Sequence, residues 1–287
     1  MLDTGKSSVN WADNLLTFIV WAVAGLIVVA FMCLLGDLIW HGAERLSWSF
    51  LFTEPESAGR KGGIAPILVS TFLILGVTLA IVLPLGLATA ILLSEFNRNG
   101  GVFSRWINLS LDILAGVPSI VFGLFGNAFF CVYLGLGFSI ISGGLTLSCM
   151  VLPIFIRTAK AGLSAVPEDW RRGALALGLS HKAGLVHLLL PAAAPAIAVG
   201  LILGIGRALA ETAALIFTSG YVDRMPSSLN DSGRALAVHI YDLSMNVAGG
   251  DKNAYASSLV LITMLILING LASWVMEHLL HRRIVTS

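Results

Sequence analysis

The sequence predicts an all-α polytopic membrane protein with six transmembrane helices. Two observations carry this reading. First, the 287 residues are 57% hydrophobic and only 11% charged, with mean hydropathy +0.89. A soluble domain of that balance would expose large apolar patches. Second, long uncharged runs recur along the chain, each near the ~20 residues needed to cross ~30 Å of hydrocarbon. The net charge of +1 gives no pull toward nucleic acid. Cys33, Cys131 and Cys149 all fall inside apolar runs, so they read as small packing residues rather than a disulfide framework or metal site.

The spans follow in order. Residues 14–36 carry no charge and form the first. Residues 62–94 form the second, with Pro66 near its start and Pro84 inside. The uncharged stretch 113–156 is too long for one helix, and Gly135-Leu-Gly137 divides it. The third span is then 107–134 and the fourth 139–164. The fifth, 188–217, contains Arg207 and Glu211, and the sixth is 254–276. Residues 1–61 form an N-terminal tail, first helix and outer loop, and 62–287 a five-helix core. The first apolar run is longer than a signal-peptide core, and Ala22-Val-Ala24 lies in its middle, so no cleavage is expected.

Six spans place both termini on one side. That side holds ten Lys/Arg: Lys6, Arg98, Arg105, Arg157, Lys160, Arg171, Arg172, Lys182, Arg282 and Arg283. The other holds six: Arg45, Arg60, Lys61, Arg224, Arg234 and Lys252. Positive charge favours the cytoplasm, so both termini and the 157–187 loop are expected inside.

Two local matches are discounted. Thr4-Gly-Lys-Ser-Ser8 looks like the end of a P-loop but lacks the leading glycine and a preceding strand. Ser142-Gly-Gly144 is similar to an ATPase signature but sits in an apolar run, where small residues serve helix packing. No nucleophile–base set or His cluster stands out, so no catalysis and no metal site are expected in this chain.

The polar segment Trp170-Arg-Arg-Gly-Ala-Leu-Ala-Leu-Gly-Leu-Ser180, running on to Pro191, is the main punctuation. Pro167 suits a first helical position, and Glu168 and Asp169 suit a positive helix N-terminus. The helix should reach Leu177, Gly178 should end it in the left-handed region, and Ser180 should cap a second short helix. Trp170, Ala174 and Leu177 should share a stripe that docks on a partner. Within the fifth span, Arg207 lies 16 residues past Pro191, about 24 Å along a helix. Glu211 follows four residues later on the same face, with Ala193, Ala196, Gly200 and Gly204 leading to them. Charge at that depth should face protein or a cavity. Arg207 either meets an anion in transit, with Glu211 holding it or repelling the anion, or the two form a static ion pair. Asp112 reads as a pathway group or an interfacial helix-end charge. Gly116-Val-Pro-Ser119 reads as a kink or a pathway element. Asn269 is expected to hydrogen-bond across helices.

The 170–191 segment resembles the cytoplasmic docking loop of ABC importer permeases: Glu-Ala-Ala, three residues, Gly, nine residues, Ile, one residue, Leu-Pro. Ala174, Gly178, Leu188, Leu190 and Pro191 match in register, while Arg172 and Gly173 replace the Glu and first Ala. Further segments resemble the PstA-type permease of phosphate-specific ABC importers. These are Gly63-Ile-Ala-Pro66, Leu83-Pro-Leu-Gly86, Gly116-Val-Pro-Ser-Ile-Val-Phe-Gly123, Gly206-Arg-Ala-Leu-Ala-Glu-Thr-Ala-Ala-Leu215, and the stretch from Phe217-Thr-Ser-Gly-Tyr to His239-Ile-Tyr-Asp-Leu243. The resemblance implies a type I importer (MetI-like) permease fold in the bacterial inner membrane. It implies as partners a PstC-type permease, a PstB-type ATPase dimer using ATP and Mg, and a PstS-type periplasmic phosphate-binding protein. Coupling to phosphate signalling is implied too.

Arg207, Glu211, Thr212 and Asp112 are then the candidate substrate-path residues. Trp170, Arg172, Ala174, Leu177, Gly178 and Ser180 are the candidate ATPase-docking residues. Tyr221, Arg224, Arg234, His239 and Asp242 mark an outer loop that docks the binding protein or is simply solvated. The alternative readings are a permease for phosphonate, sulfate or molybdate, or an accessory membrane signalling protein. A secondary transporter is disfavoured because no inverted repeat is visible.

Overall fold

The computed structural model describes residues 11–96 and 101–284, and of residues 12 and 275–284 the backbone alone. Lys6, Arg98, the Thr4–Ser8 match and the side chains of Arg282 and Arg283 lie outside that description. The chain folds as twelve helices and one two-residue hairpin among the described residues. α1 (Trp11–Ala43) is apolar on every side, as a lipid-facing helix is. After it come α2 (Trp48–Phe52), capped by the Ser47 hydroxyl, and a hairpin of β1 (Pro55–Glu56) and β2 (Lys61–Gly62). Pro55 pairs with Gly62 and Glu56 with Lys61, and the turn carries Ser57, Ala58 and Gly59 at positive φ.

α3 (Ala65–Ile91) starts with Pro66 in its first turn, where no amide donor is needed, and continues as a π-helical stretch, Leu92–Phe96. α4 (Val102–Gly116) and α5 (Ser119–Gly126, extended by a π-helical stretch, Asn127–Tyr133) follow. Then come α6 (Ile140–Ala165), α7 (Glu168–Ala176) and α8 (His181–Gly184). A third π-helical stretch, Leu185–Leu189, leads into α9 (Leu190–Leu209). α10 (Ala213–Ile216), α11 (Leu236–Met245) and α12 (Asp251–Ile284) complete the chain.

α3, α6 and α9 form the core, with Val82, Leu147, Val151, Phe155 and Ile205 buried between them. They approach closely because glycines stand at the crossings. A Cβ on Gly86 would lie 2.4 Å from the Phe155 ring, and one on Gly204 would lie 2.6 Å from Val151. Small residues let membrane helices pack backbone to backbone. α12 joins this core through Met264, and on its other side it crosses α1 at Gly42, whose Cβ would meet the Tyr255 carbonyl at 2.9 Å.

Two expected spans are broken. The third is a pair, α4 and α5, bent by 104°. Pro118 has no amide hydrogen and forces Val117 into an extended conformation (φ −72°, ψ 130°), so the helix stops rather than kinks. The fifth ends at Leu209 rather than Phe217, and Ala210–Thr212 separate α9 from α10. Among the described residues five helices are long and apolar enough to cross a membrane, or six if the bent pair counts as one span. Asn269, expected to bond between helices, leaves its Oδ1 without a partner among the described residues.

Candidate functional site

The bundle has two polar ends. At one, α7 and α8 form a short helix–turn–helix. Gly178 adopts φ +73°, and the amides of Leu179 and Gly178 donate to the carbonyls of Ala174 and Leu175 at 3.0 Å each. This is the Schellman closure that the glycine allows. Ser180 caps α8 through the Ala183 amide, 3.2 Å. Trp170, Arg172, Leu175, Leu177 and Leu179 are exposed, Leu177 to 82%. Ala174 is not part of that surface: it is buried, its Cβ packed 3.6 Å from the position a Gly184 Cβ would take. The expected stripe of Trp170, Ala174 and Leu177 is corrected accordingly, because α8 folds back onto the Ala174 face.

The anchor of this end was not foreseen. Arg171 is 10% exposed and Glu95, at the end of the α3 extension, only 3%. Arg171 Nε donates to Glu95 Oε2 (3.1 Å) and Nη2 to Oε1 (2.8 Å). Its remaining donors reach the carbonyls of Val166 (2.6 Å) and Leu163 (2.8 Å) at the end of α6. The Glu95 hydrogen bonds raise the Arg171 pKa further. Arg171 lies three residues before Ala174 and so shares the face of α7 that packing buries. A cavity of about 260 Å³ opens beside the pair, walled by α7, α8 and the π-helical stretch Leu185–Leu189.

Toward the opposite end of α9, Arg207 is exposed, and no hydrogen bond or ion pair engages it among the described residues. Glu211 does not share its helix. The carboxylate is buried in the α9–α10 break, where Oε1 accepts the Ala214 amide at 3.2 Å. A carboxylate there satisfies an orphan amide at the start of the next helix. The expected i,i+4 pair is corrected for that reason. Thr212 lies half-buried in the same break. Asp112 is elsewhere: it pairs with Arg157 of α6, one turn from the bond between Lys160 Nζ and Asn108 Oδ1 (2.9 Å). Arg207, Glu211 and Thr212 are therefore neighbours along the chain, and Asp112 belongs to the α4–α6 contact.

Beyond α9, at the hairpin end, Arg234 is the hub. Its Nη1 reaches Asp242 at 3.2 Å and Asp223 at 3.9 Å, and its Nε donates to the Tyr221 carbonyl at 2.8 Å. His239 lies under Gly59 of the hairpin turn, with Nδ1 3.4 Å from Arg234 Nη1. Burial, reinforced by the Arg234 charge, lowers its pKa to about 3. Asn253 Nδ2 donates to the Gly59 carbonyl at 2.7 Å, tying the hairpin to α12. Arg224 stands apart and acts on Asp231, whose carboxyl is held below its ordinary value chiefly by the Ser227 hydroxyl. Among the described residues no group of His, Cys, Asp and Glu could hold a metal.

Comparison with known proteins fits this architecture. The sequence profile described as "Binding-protein-dependent transport system inner membrane component" matches residues 82–285. The "Probable ABC transporter permease protein YqgI" of Bacillus subtilis (strain 168) is 31% identical over 277 residues, 91% of this chain and 94% of that protein. The "Phosphate transport system permease protein PstA 1" of Mycobacterium tuberculosis (strain CDC 1551 / Oshkosh) is 32% identical over 235 residues, 80% and 76% of the two chains. In fold, the chain resembles a bacterial ABC transporter involved in the import of the acidic polysaccharide alginate. The TM-score is 0.63 at 14% identity, covering 93% of this chain and 98% of that one. It also resembles the inward-facing MetNI methionine ABC transporter, with TM-score 0.54 at 16% identity over 75% and 94% of the two chains. A helical bundle with a membrane-face helix–turn–helix, matched by this profile over most of its length, belongs to the family of binding-protein-dependent inner membrane transport components and is a permease subunit of an ABC importer.

Proposed function

We infer that this permease carries phosphate across the bacterial inner membrane, with both termini in the cytoplasm. The observation that carries the reading is Arg207: an exposed cation at the end of α9 with no partner among the described residues. A guanidinium held that way is a ready partner for a tetrahedral oxyanion. The PstA-type resemblance around it, and the phosphate transport relatives, support phosphate among oxyanions.

In this reading a PstC-type permease faces the chain and completes the path. A PstB-type ATPase dimer, using ATP and Mg, holds the exposed Leu175–Leu177–Leu179 edge and Trp170. A PstS-type binding protein meets the outer end near Arg234. ATPase closure moves α7 and opens the bundle outward. Phosphate then passes Arg207, and hydrolysis resets the gate. Glu211, engaged at the α10 amide, keeps the break between α9 and α10 in place and leaves Arg207 free for the anion.

The test is uptake of radiolabelled phosphate in cells carrying Arg207→Gln. Losing a charge-assisted contact of ~2–5 kcal/mol should cut uptake by about thirtyfold or more at unchanged protein level. Normal uptake would remove the anion path from this residue. Uptake of sulfate, phosphonate or molybdate in place of phosphate would move the chain to another oxyanion importer. A guanidinium alone does not choose among them. Docking is tested by crosslinking from a cysteine at Leu177, which is exposed, rather than at the buried Ala174.

A further inference from the structure

We propose that the Arg171–Glu95 pair is the strut that carries movement of α7 into the membrane core. The proposal deepens the reading of α7–α8 as the ATPase dock and rests on it. The buried face of α7 rests on α8 through Ala174 and Gly184, and the roughly 260 Å³ cavity lies between α7, α8 and the π-helical stretch Leu185–Leu189. A displacement of α7 would be absorbed there by collapse of the gap. A bidentate ion pair, Arg171 with Glu95, crosses from α7 to the core. Glu95 ends the extension of α3, and α3 packs along α6 through Gly86–Phe155 and Gly144–Val77. Arg171 grips both helices at once, α3 through two bonds to the Glu95 carboxylate and α6 through the carbonyls of Leu163 and Val166.

A planar guanidinium in a bidentate pair fixes orientation as well as distance, which a flexible apolar contact does not. With both side chains nearly buried, the pair is not loosened by solvent. The Phe96–His181 ring contact, with centroids 5.1 Å apart, is the second link between these elements, and Phe96 is largely exposed. Arg171 and Glu95 are thus positioning residues: neither is placed on the anion path or in the exposed docking edge.

The experiment uses the whole importer in proteoliposomes, with phosphate uptake and ATP hydrolysis read in the same vesicles. Glu95→Gln keeps shape and removes the charge. The expected result is continued hydrolysis, an unchanged KM for phosphate, and about a tenfold fall in phosphate moved per ATP, within the usual range of coupling between distant sites. An unchanged ratio, or a fall in both rates that preserves the ratio, overturns the proposal.

A second variant pairs Glu95→Cys with Arg171→Cys in a chain carrying Cys33→Ser, Cys131→Ser and Cys149→Ser. Bridging the two thiols with a short cleavable reagent should restore the ratio, and cleavage should lower it again. No restoration overturns the strut. Failure of both variants to assemble would make the pair a folding element and overturn it too. If wild-type vesicles move sulfate or phosphonate instead of phosphate, the substrate reading fails, while the same ratio taken with that anion still decides the strut.

Discussion

Arg171 and Arg207 belong to the same bundle and have opposite surroundings. Arg171 is enclosed, with a carboxylate and two helix-end carbonyls taking its donors. Arg207 is exposed and has no partner among the described residues. A cation gripped by a carboxylate and helix-end carbonyls holds structure, whereas one left open is available to a ligand or a partner chain. The nearest carboxylate in sequence, Glu211, could have closed Arg207 off, yet it is spent on the Ala214 amide. The difference between the two sites thus lies in what the neighbouring carboxylate does.

The contrast can be broken by stability measurements. Arg171→Met should have the largest effect, about 3–5 kcal/mol, because it strands the buried Glu95 charge. Arg207→Gln should stay within about 0.5 kcal/mol by the same thermal unfolding assay, since no contact is lost. Equal losses would erase the distinction. Next, Gly204→Ala should cost about 1–3 kcal/mol by overpacking the α6–α9 crossing, where its Cβ would lie 2.6 Å from Val151. Gly206→Ala, two residues on and with nothing within 4 Å, should be neutral or slightly stabilising. That comparison separates the packed face of α9 from the open one.

The last effect concerns pH at the hairpin end and is read as a slope. The folded pKa of His239, about 3, lies below its ordinary value of 6.5. Between those values the unfolded chain binds a proton that the folded chain does not, so stability falls as pH drops from about 6.5 toward 3. The slope from this group is at most about 1.4 kcal/mol per pH unit. His239→Gln should flatten the unfolding curve in that window by that amount. An unchanged pH slope would show that the imidazole is not sealed under Gly59.

Much of this was legible in the chain. The apolar runs mark the membrane helices, and Gly178 and Ser180 set the end of α7 and the start of α8 where local rules put them, while Pro167, expected as the first helical residue, is the N-cap. The small stripe through Gly200 and Gly204 does meet a neighbour, α6. Three things were not legible. Pro118 could be read as a kink or a break, because the preceding residue's conformation depends on what α5 packs against. Glu211 looked like a helical partner of Arg207, because periodicity assumes an unbroken helix. Arg171 counted only toward the charge of its side of the membrane, while Arg172 was taken for docking, since Glu95 is 76 residues away in sequence.

Hydropathy, proline and glycine act over a few residues, so span number, cap positions and the membrane class follow from the chain alone. The pairing of Arg171 with Glu95, the burial of Ala174 and the freedom of Arg207 depend on which segments meet across the bundle. That is a property of packing at long sequence separation, and only the folded molecule determines it.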